Sequence, residues 1–198
     1  MKLLLRLAHL IDALNERVGR SVYWLILVIV LISAGNAIMR KLFNISSNAF
    51  LEIQWYLFSA VFLLAAGYTL KCNAHVRIDV ITGRFSPRVQ AWIDIIGGLL
   101  FLLPMAALII YFSWPSFVRT LASQEWSSNP GGLIIWPAKL LIPVGFSLLL
   151  LQGIAETIKR IGFLAGREPP EKMHHLPQAE EMMTLSSAPK QGDRKSVV

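Results

Sequence analysis

Four apolar runs, each long enough to cross a bilayer, constrain this chain more than any other feature in it. Ser21 to Met39 and Ile53 to Leu70 contain no charged residue. A third run, Trp92 to Phe112, has only Asp94 near its start, and a fourth, Trp136 to Ala155, has only Lys139 near one end. About 20 residues at 1.5 Å rise per residue cover the ~30 Å hydrocarbon core, so each run can form one crossing. A soluble domain carries about a quarter charged residues, whereas here 16% are charged and 55% are hydrophobic. The expected fold is therefore an all-α membrane protein with four transmembrane helices, at about 21–39, 52–70, 92–112 and 136–156, within a domain covering 21–160.

Aromatic and basic residues supply ends and sides. Trp24, Trp55, Trp92, Trp114 and Trp136 all fall near expected span ends, where indole rings favour the membrane interface. Pro104 and Pro143 lie inside apolar runs and predict a kink in each helix. Four crossings put the two ends and the second loop on one side. That side carries Lys2, Arg6, Arg17, Arg20, Lys71, Arg77, Arg84, Arg88, Lys159, Arg160 and Arg167, against Arg40, Lys41, Arg119 and Lys139 opposite. Eleven cations against four predict that both termini are cytoplasmic. The net charge of +7 is thus distributed as topological anchors flanking apolar runs. It forms no continuous basic face, and nucleic acid is not an expected partner.

The first twenty residues differ in pattern. Leu3, Leu7, Leu10, Ile11, Leu14 and Val18 recur at helical spacing, with Arg6, His9, Asp12, Glu16 and Arg17 on other faces. Residues 1–20 are therefore expected to form an amphipathic interfacial helix on the cytoplasmic membrane surface. A cleaved signal peptide would need a shorter charged region and a shorter apolar run. From Gly166 onward the composition turns to Pro, Glu, Gln, Lys, Ser and Met without periodicity, so 161–198 is expected to be a disordered cytoplasmic tail. His174 and His175 there lack a third metal ligand. The single cysteine, Cys72, excludes an intramolecular disulfide and a paired-thiol redox role.

Function is first constrained by an absence. No Asp, Glu, Lys, Arg or His falls in the central half of any expected span, where ion-coupled carriers keep ionisable groups. A self-sufficient carrier or channel would also need polar faces lining a pore, and only Asn36, Ser59, Ser113, Ser147 and Gln152 are scattered through the spans. Their expected role is to hydrogen-bond helices together. An interaction protein outside transport, anchored by its basic amphipathic helix, is the remaining alternative. The second loop is dense in Asn73-Ala-His75-Val-Arg77-Ile-Asp79-Val, followed by Ser86-Pro87, which suits an N-cap and first turn. The third loop holds Ser123-Gln-Glu125-Trp-Ser127-Ser-Asn-Pro130-Gly-Gly, a turn leading to Trp136-Pro137. Glu125 has no His, Cys or second acid near it in sequence, so no catalytic residue, cofactor or metal site is expected.

Three motifs in this order relative to the spans carry a resemblance: Glu52-Ile-Gln54-Trp55-Tyr-Leu-Phe, then Asn73 to Val80, then Ser123 to Ser127 before Trp136-Pro137. Over about residues 20 to 160 the chain resembles the small membrane subunit of tripartite ATP-independent periplasmic (TRAP) transporters, the DctQ-type family. The resemblance implies a bacterial inner-membrane system driven by an ion gradient, usually sodium. In it a periplasmic binding protein delivers an organic acid to a large, DctM-type permease subunit with an elevator-type motion. The small subunit braces that large subunit and holds no substrate. Glu52, Gln54, Trp55, His75, Arg77, Asp79, Glu125, Ser127, Pro130 and Trp136 are then expected to be structural or partner-contact positions. The loop from Glu125 to Trp136 would contribute to the docking surface for the binding protein.

Overall fold

The computed structural model describes residues 2–43, 47–72 and 85–166. The helices are α1 (Lys2–Phe43), α2 (Asn48–Lys71), α3 (Pro87–Gly97), α4 (Leu103–Ser123) and α5 (Trp136–Leu164). A π-helical turn, Gly98–Leu102, joins α3 to α4, so that Arg88–Ser123 forms one membrane-length helix. No strand occurs among the described residues. Among the described residues, four helices have the length and apolar composition to cross a bilayer. Lipid offers the backbone no hydrogen-bond partner, which is why these runs close their backbone bonds within the helix, i→i−4 except at the π turn.

The π turn lies immediately before Pro104. A proline ring collides with the carbonyl four residues earlier and removes one ladder bond. Here the Leu103 N–H reaches back to the Gly98 carbonyl, and the widened turn absorbs that conflict without ending the helix. Pro143 sits inside α5 with no change of helix type, and the Ser147 hydroxyl donates to its carbonyl at 2.6 Å. Pro87 and Pro137 stand in the first turns of α3 and α5, where a missing N–H costs nothing. Ser86 has the extended backbone of an N-cap but makes no side-chain cap bond.

No break separates residues 2–20 from the first span. The 42 residues of α1 amount to roughly 63 Å, about twice the hydrocarbon core. The reason for continuity is visible in its buried residues, Ala8, Asn15, Gly19, Val22 and Ile29. Ala8, Asn15, Val22 and Ile29 recur every seventh position and Gly19 falls four after Asn15 on the same face, a single seam that keeps its phase across residue 20. The amphipathic segment turns its polar stripe toward the bundle. Leu3, Leu7, Leu10 and Leu14 face outward, as contact with a membrane surface requires.

Helix α5 is the hub. It packs against α1 and α2 on one side and against α3, the π turn and α4 on the other, while α1 and α2 also pack together. The segment 73–84, with His75, Arg77 and Asp79, and the tail beyond 166 lie outside the described residues.

Candidate functional site: a hairpin pinned by Glu52

The connection from α4 to α5 is a short hairpin. Gln124 ends α4 in the left-handed conformation at φ 48°, and the chain reverses direction. Trp126 and Ile134 form an antiparallel bridge. Ser127 N–H donates to Leu133 O at 2.9 Å, and Ile135 N–H to Glu125 O at 3.0 Å. Gly132 N–H closes the tip by donating to Asn129 O at 2.9 Å, and Gly131 occupies φ +70°. The Pro-Gly-Gly run is thus a turn for a stated reason, since a left-handed position favours glycine.

Glu52, one turn into α2, projects into this hairpin and is only 5% exposed. Its Oε1 accepts from the Ser127 hydroxyl and from Asn129 Nδ2, the latter at 2.8 Å. Its Oε2 accepts from the Leu133 backbone N–H at 2.6 Å. Three donors on one carboxylate satisfy most of its acceptor capacity in place of water. Gly132 lines the same cradle: a β-carbon there would stand 2.6 Å from Ser127 Cβ and 2.8 Å from Glu52 Oε1. Two more residues of α2 hold the loop, Asn48 Nδ2 donating to Pro130 O at 3.0 Å and the Tyr56 hydroxyl to Ile134 O at 3.3 Å.

A second clamp grips the base of the hairpin. Lys139 Nζ, in the first turns of α5, donates to Thr120 Oγ1 at 2.6 Å and to Glu125 Oε2 at 3.2 Å. Thr120 Oγ1 lies 3.1 Å from the same carboxylate oxygen and donates to it. The Lys139 ammonium, with the Thr120 hydroxyl, holds the Glu125 carboxyl below its ordinary range. Lys139 is therefore an anchor between α4, the hairpin and α5.

The motifs flagged in the sequence are partly united here. Glu52 and Ser127 bond directly, Pro130 lends its carbonyl to Asn48, and Trp136 opens α5 directly after the hairpin. Gln54 faces elsewhere and accepts from the Ser33 hydroxyl of α1 at 2.9 Å. Trp55 points outward, 68% exposed. Asn48 and Thr120 carry no signal in the sequence, while Asn129 and Gly132 stand in the third-loop turn motif and Lys139 at a span end, with nothing there to say what they bond. Asn129 and Gly132 flank the Pro-Gly turn, and that adjacency was the signal available.

The opposite end of the bundle holds a polar network. Gln152 is fully buried; its Oε1 accepts from Asn15 Nδ2 at 2.9 Å, and its Nε2 donates to Asp12 Oδ1 at 2.7 Å. Lys159 Nζ reaches both Asp12 oxygens at 3.1 Å and pairs with Glu156. Lys71 donates to Glu16 at 2.7 Å, and Arg20 pairs with the same carboxylate. Arg160 pairs with Asp94 across α5 and α3. Gln152 thus joins helices as expected, whereas Ser113 and Ser147 bond carbonyls of their own helices.

No Asp, Glu, Lys, Arg or His interrupts residues 21–39, 53–70, 95–118 or 140–155. Among the described residues charge is confined to the two ends, one holding the pinned hairpin and the other the network of Asp12, Glu16, Lys71 and Lys159. These features define a multi-pass integral membrane protein whose charged chemistry lies outside its apolar spans. Residues 29–162 match the family model described as tripartite ATP-independent periplasmic transporters, DctQ component. The chain belongs to that family and is the small membrane component of a TRAP transporter. The family is one of transporter components, not enzymes. No curated protein matches the chain.

Proposed function

We propose that this chain is the static scaffold on which a large DctM-type permease subunit performs an elevator-type motion. An ion gradient, usually sodium, would drive uptake of an organic acid that a periplasmic binding protein delivers. The observation that carries the reading is the uninterrupted apolarity of all four spans, since a chain with no ionisable group at depth has nothing to bind a coupling ion or an anionic solute. The outward face of the third span supports it. Phe101, Met105, Leu108 and Phe112 are each more than half exposed, a lateral surface suited to lipid and to a membrane partner. Both termini lie in the cytoplasm, so the hairpin stands on the periplasmic side of the bacterial inner membrane.

Co-purification tests the assignment. A tagged chain extracted in mild detergent should retain a larger, multi-span partner, and uptake should require both. Transport by this chain alone in liposomes would overturn the scaffold reading. His75, Arg77 and Asp79 belong to the docking side in this reading, so Arg77→Ala or Asp79→Ala should weaken assembly more than it alters substrate preference. A changed substrate preference in an intact complex would oppose it.

A further inference from the structure

One buried acceptor in the bundle has no ordinary donor. Asn15 is fully buried, and its Oδ1 receives no N–H or O–H among the described residues. A buried polar atom left unpaired is costly, and lipid offers it nothing, so the group that faces it matters. Asn15 also stands on the seam of Ala8, Val22 and Ile29, where an apolar side chain would pack without that cost and a polar one serves to fix the pairing.

The direction of its amide is set from the nearby acids. Gln152 Nε2 donates to Asp12 Oδ1 at 2.7 Å and to Glu156 Oε1 at 3.2 Å. Ionised carboxylates only accept, so the Gln152 nitrogen must turn to them and its oxygen to Asn15. The Asn15 nitrogen has to meet that oxygen, which it does at 2.9 Å while also reaching Ile11 O at 3.3 Å. Oδ1 is left facing α2, where it meets Gly67. A β-carbon on Gly67 would overlap Asn15 Oδ1 and stand 3.2 Å from the Leu148 carbonyl oxygen of α5. The hydrogen that Gly67 carries there is therefore the group against the orphan oxygen. Gly67 is itself buried, and any larger residue would push the three helices apart. One residue on, Tyr68 lies across Gly19 of α1, again where a β-carbon would overlap.

We infer that the Gly67 Cα–H donates to Asn15 Oδ1, and that this contact, closed by Gln152, is the joint that makes residues 2–20 of α1 one body with α2 and α5. Cα–H donors recur at close helix–helix contacts and are individually weak. The joint gains from its connections. Asn15 cannot swing away from Gly67 without leaving Gln152, and Gln152 cannot turn without leaving two carboxylates. The inference holds with or without a larger subunit bound, and it goes beyond the scaffold reading by naming what stiffens the longest helix.

The full chain in detergent micelles, isotopically labelled at glycine, tests the bond by nuclear magnetic resonance. One Gly67 Hα should resonate downfield of its twin. Asn15→Leu, which keeps the shape of the side chain and removes the oxygen, should bring it back. Hydrogen exchange tests the joint. Gly67→Ala should speed exchange of residues 2–20 by about tenfold or more, and Asn15→Ala should speed it too. The double variant should be no worse than Gly67→Ala alone, because the added methyl group enters the space the amide has left. Gly67 Hα resonances unchanged by Asn15→Leu would overturn the bond. Gly67→Ala exchanging like the parent, or two effects that simply add, would overturn the joint. Should Gly67→Ala fail to fold, the resonance comparison of the parent with Asn15→Leu decides by itself.

Discussion

Gly132 carries only hydrogen at a point where a β-carbon would touch two members of the hairpin lock. The neighbours are Ser127 Cβ at 2.6 Å and a Glu52 carboxylate oxygen at 2.8 Å, and the first is too close to the backbone to swing aside. Gly132→Ala should therefore destabilise the loop by about 1–3 kcal/mol, the usual range for overpacking. Gly131→Ala meets no atom within 4 Å but must adopt φ +70°, at a cost of about 1–2 kcal/mol. Hydrogen exchange over 124–135 should rise in both variants with the inner end of the bundle unchanged; a global rise would show that the loop is not an independent unit. Glu125 makes a pH prediction. Its carboxyl is held below its ordinary value of 4.5 by Lys139 and then Thr120. A carboxyl lowered in the folded state contributes stability above its unfolded value, and that contribution is lost as pH falls through the folded value. The Tm gap between the parent and Glu125→Gln should be present at neutral pH and close progressively below pH 4.5. A gap that persisted unchanged into strong acid would mean the charge on Glu125 is irrelevant to the clamp.

At the scale of helices, the question is what keeps the first half of α1 against the bundle. Asp12 and Lys159 are 13% and 18% exposed, so their pair is shielded and its members depend on each other. Removing one partner of a shielded pair leaves an unmatched charge, which costs about 3–5 kcal/mol when burial is complete and roughly 2–4 here. Lys159→Ala should thus loosen residues 2–20, detected as faster exchange there, and adding Asp12→Ala should give back part of the loss. Strict additivity of the two changes would exclude direct coupling. This network also marks the limit of what the sequence revealed. The helices, their order and the Glu52 and Ser127 motifs were legible because charge-free length and turn residues are local signals. Asp12, Asn15, Glu16 and Gln152 were not legible as one cluster. Their partners stand as far as 147 residues apart in sequence, and periodicity reports two faces of a helix without saying which turns inward. Beside lipid the usual answer reverses, and the polar face of α1 is the one that packs. The Leu3, Leu7, Leu10 and Leu14 stripe, which in water would be the core face, is outward. Conversely, Asn36 and Ser59 were expected to join helices, yet Ser59 is exposed and Asn36 half-buried.

For the whole molecule, α5 joins two flanks: α1 with α2 on one side, and α3, the π turn and α4 on the other. A groove of ≈ 540 Å³, walled by Leu70, Phe101, Met105, Phe146 and Leu149, runs between them. Such an arrangement suits a brace, because each flank can meet a different neighbour while the hub stays fixed. It also predicts that the flanks can be loosened separately. A β-carbon on Gly145 would stand 2.6 Å from Leu63 Cβ and 2.8 Å from the Leu63 carbonyl of α2, whereas one on Gly153 would meet the Leu102 side chain at 2.4 Å. The first neighbour is backbone and cannot give; the second is the end of a flexible side chain. Gly145→Leu should accordingly separate α2 from the hub and be the more damaging, by about 1–3 kcal/mol or more. Gly153→Leu should displace the π turn alone, with Gly153→Ala nearly silent. Exchange measured helix by helix in the purified complex would resolve the two. If Gly153→Leu left Leu99–Phe112 protected but freed α2, the flanks would not be independent. If each substitution loosens its own flank, then on the proposed scaffold role loss of the co-purifying larger subunit with only one of them would identify the flank that receives it.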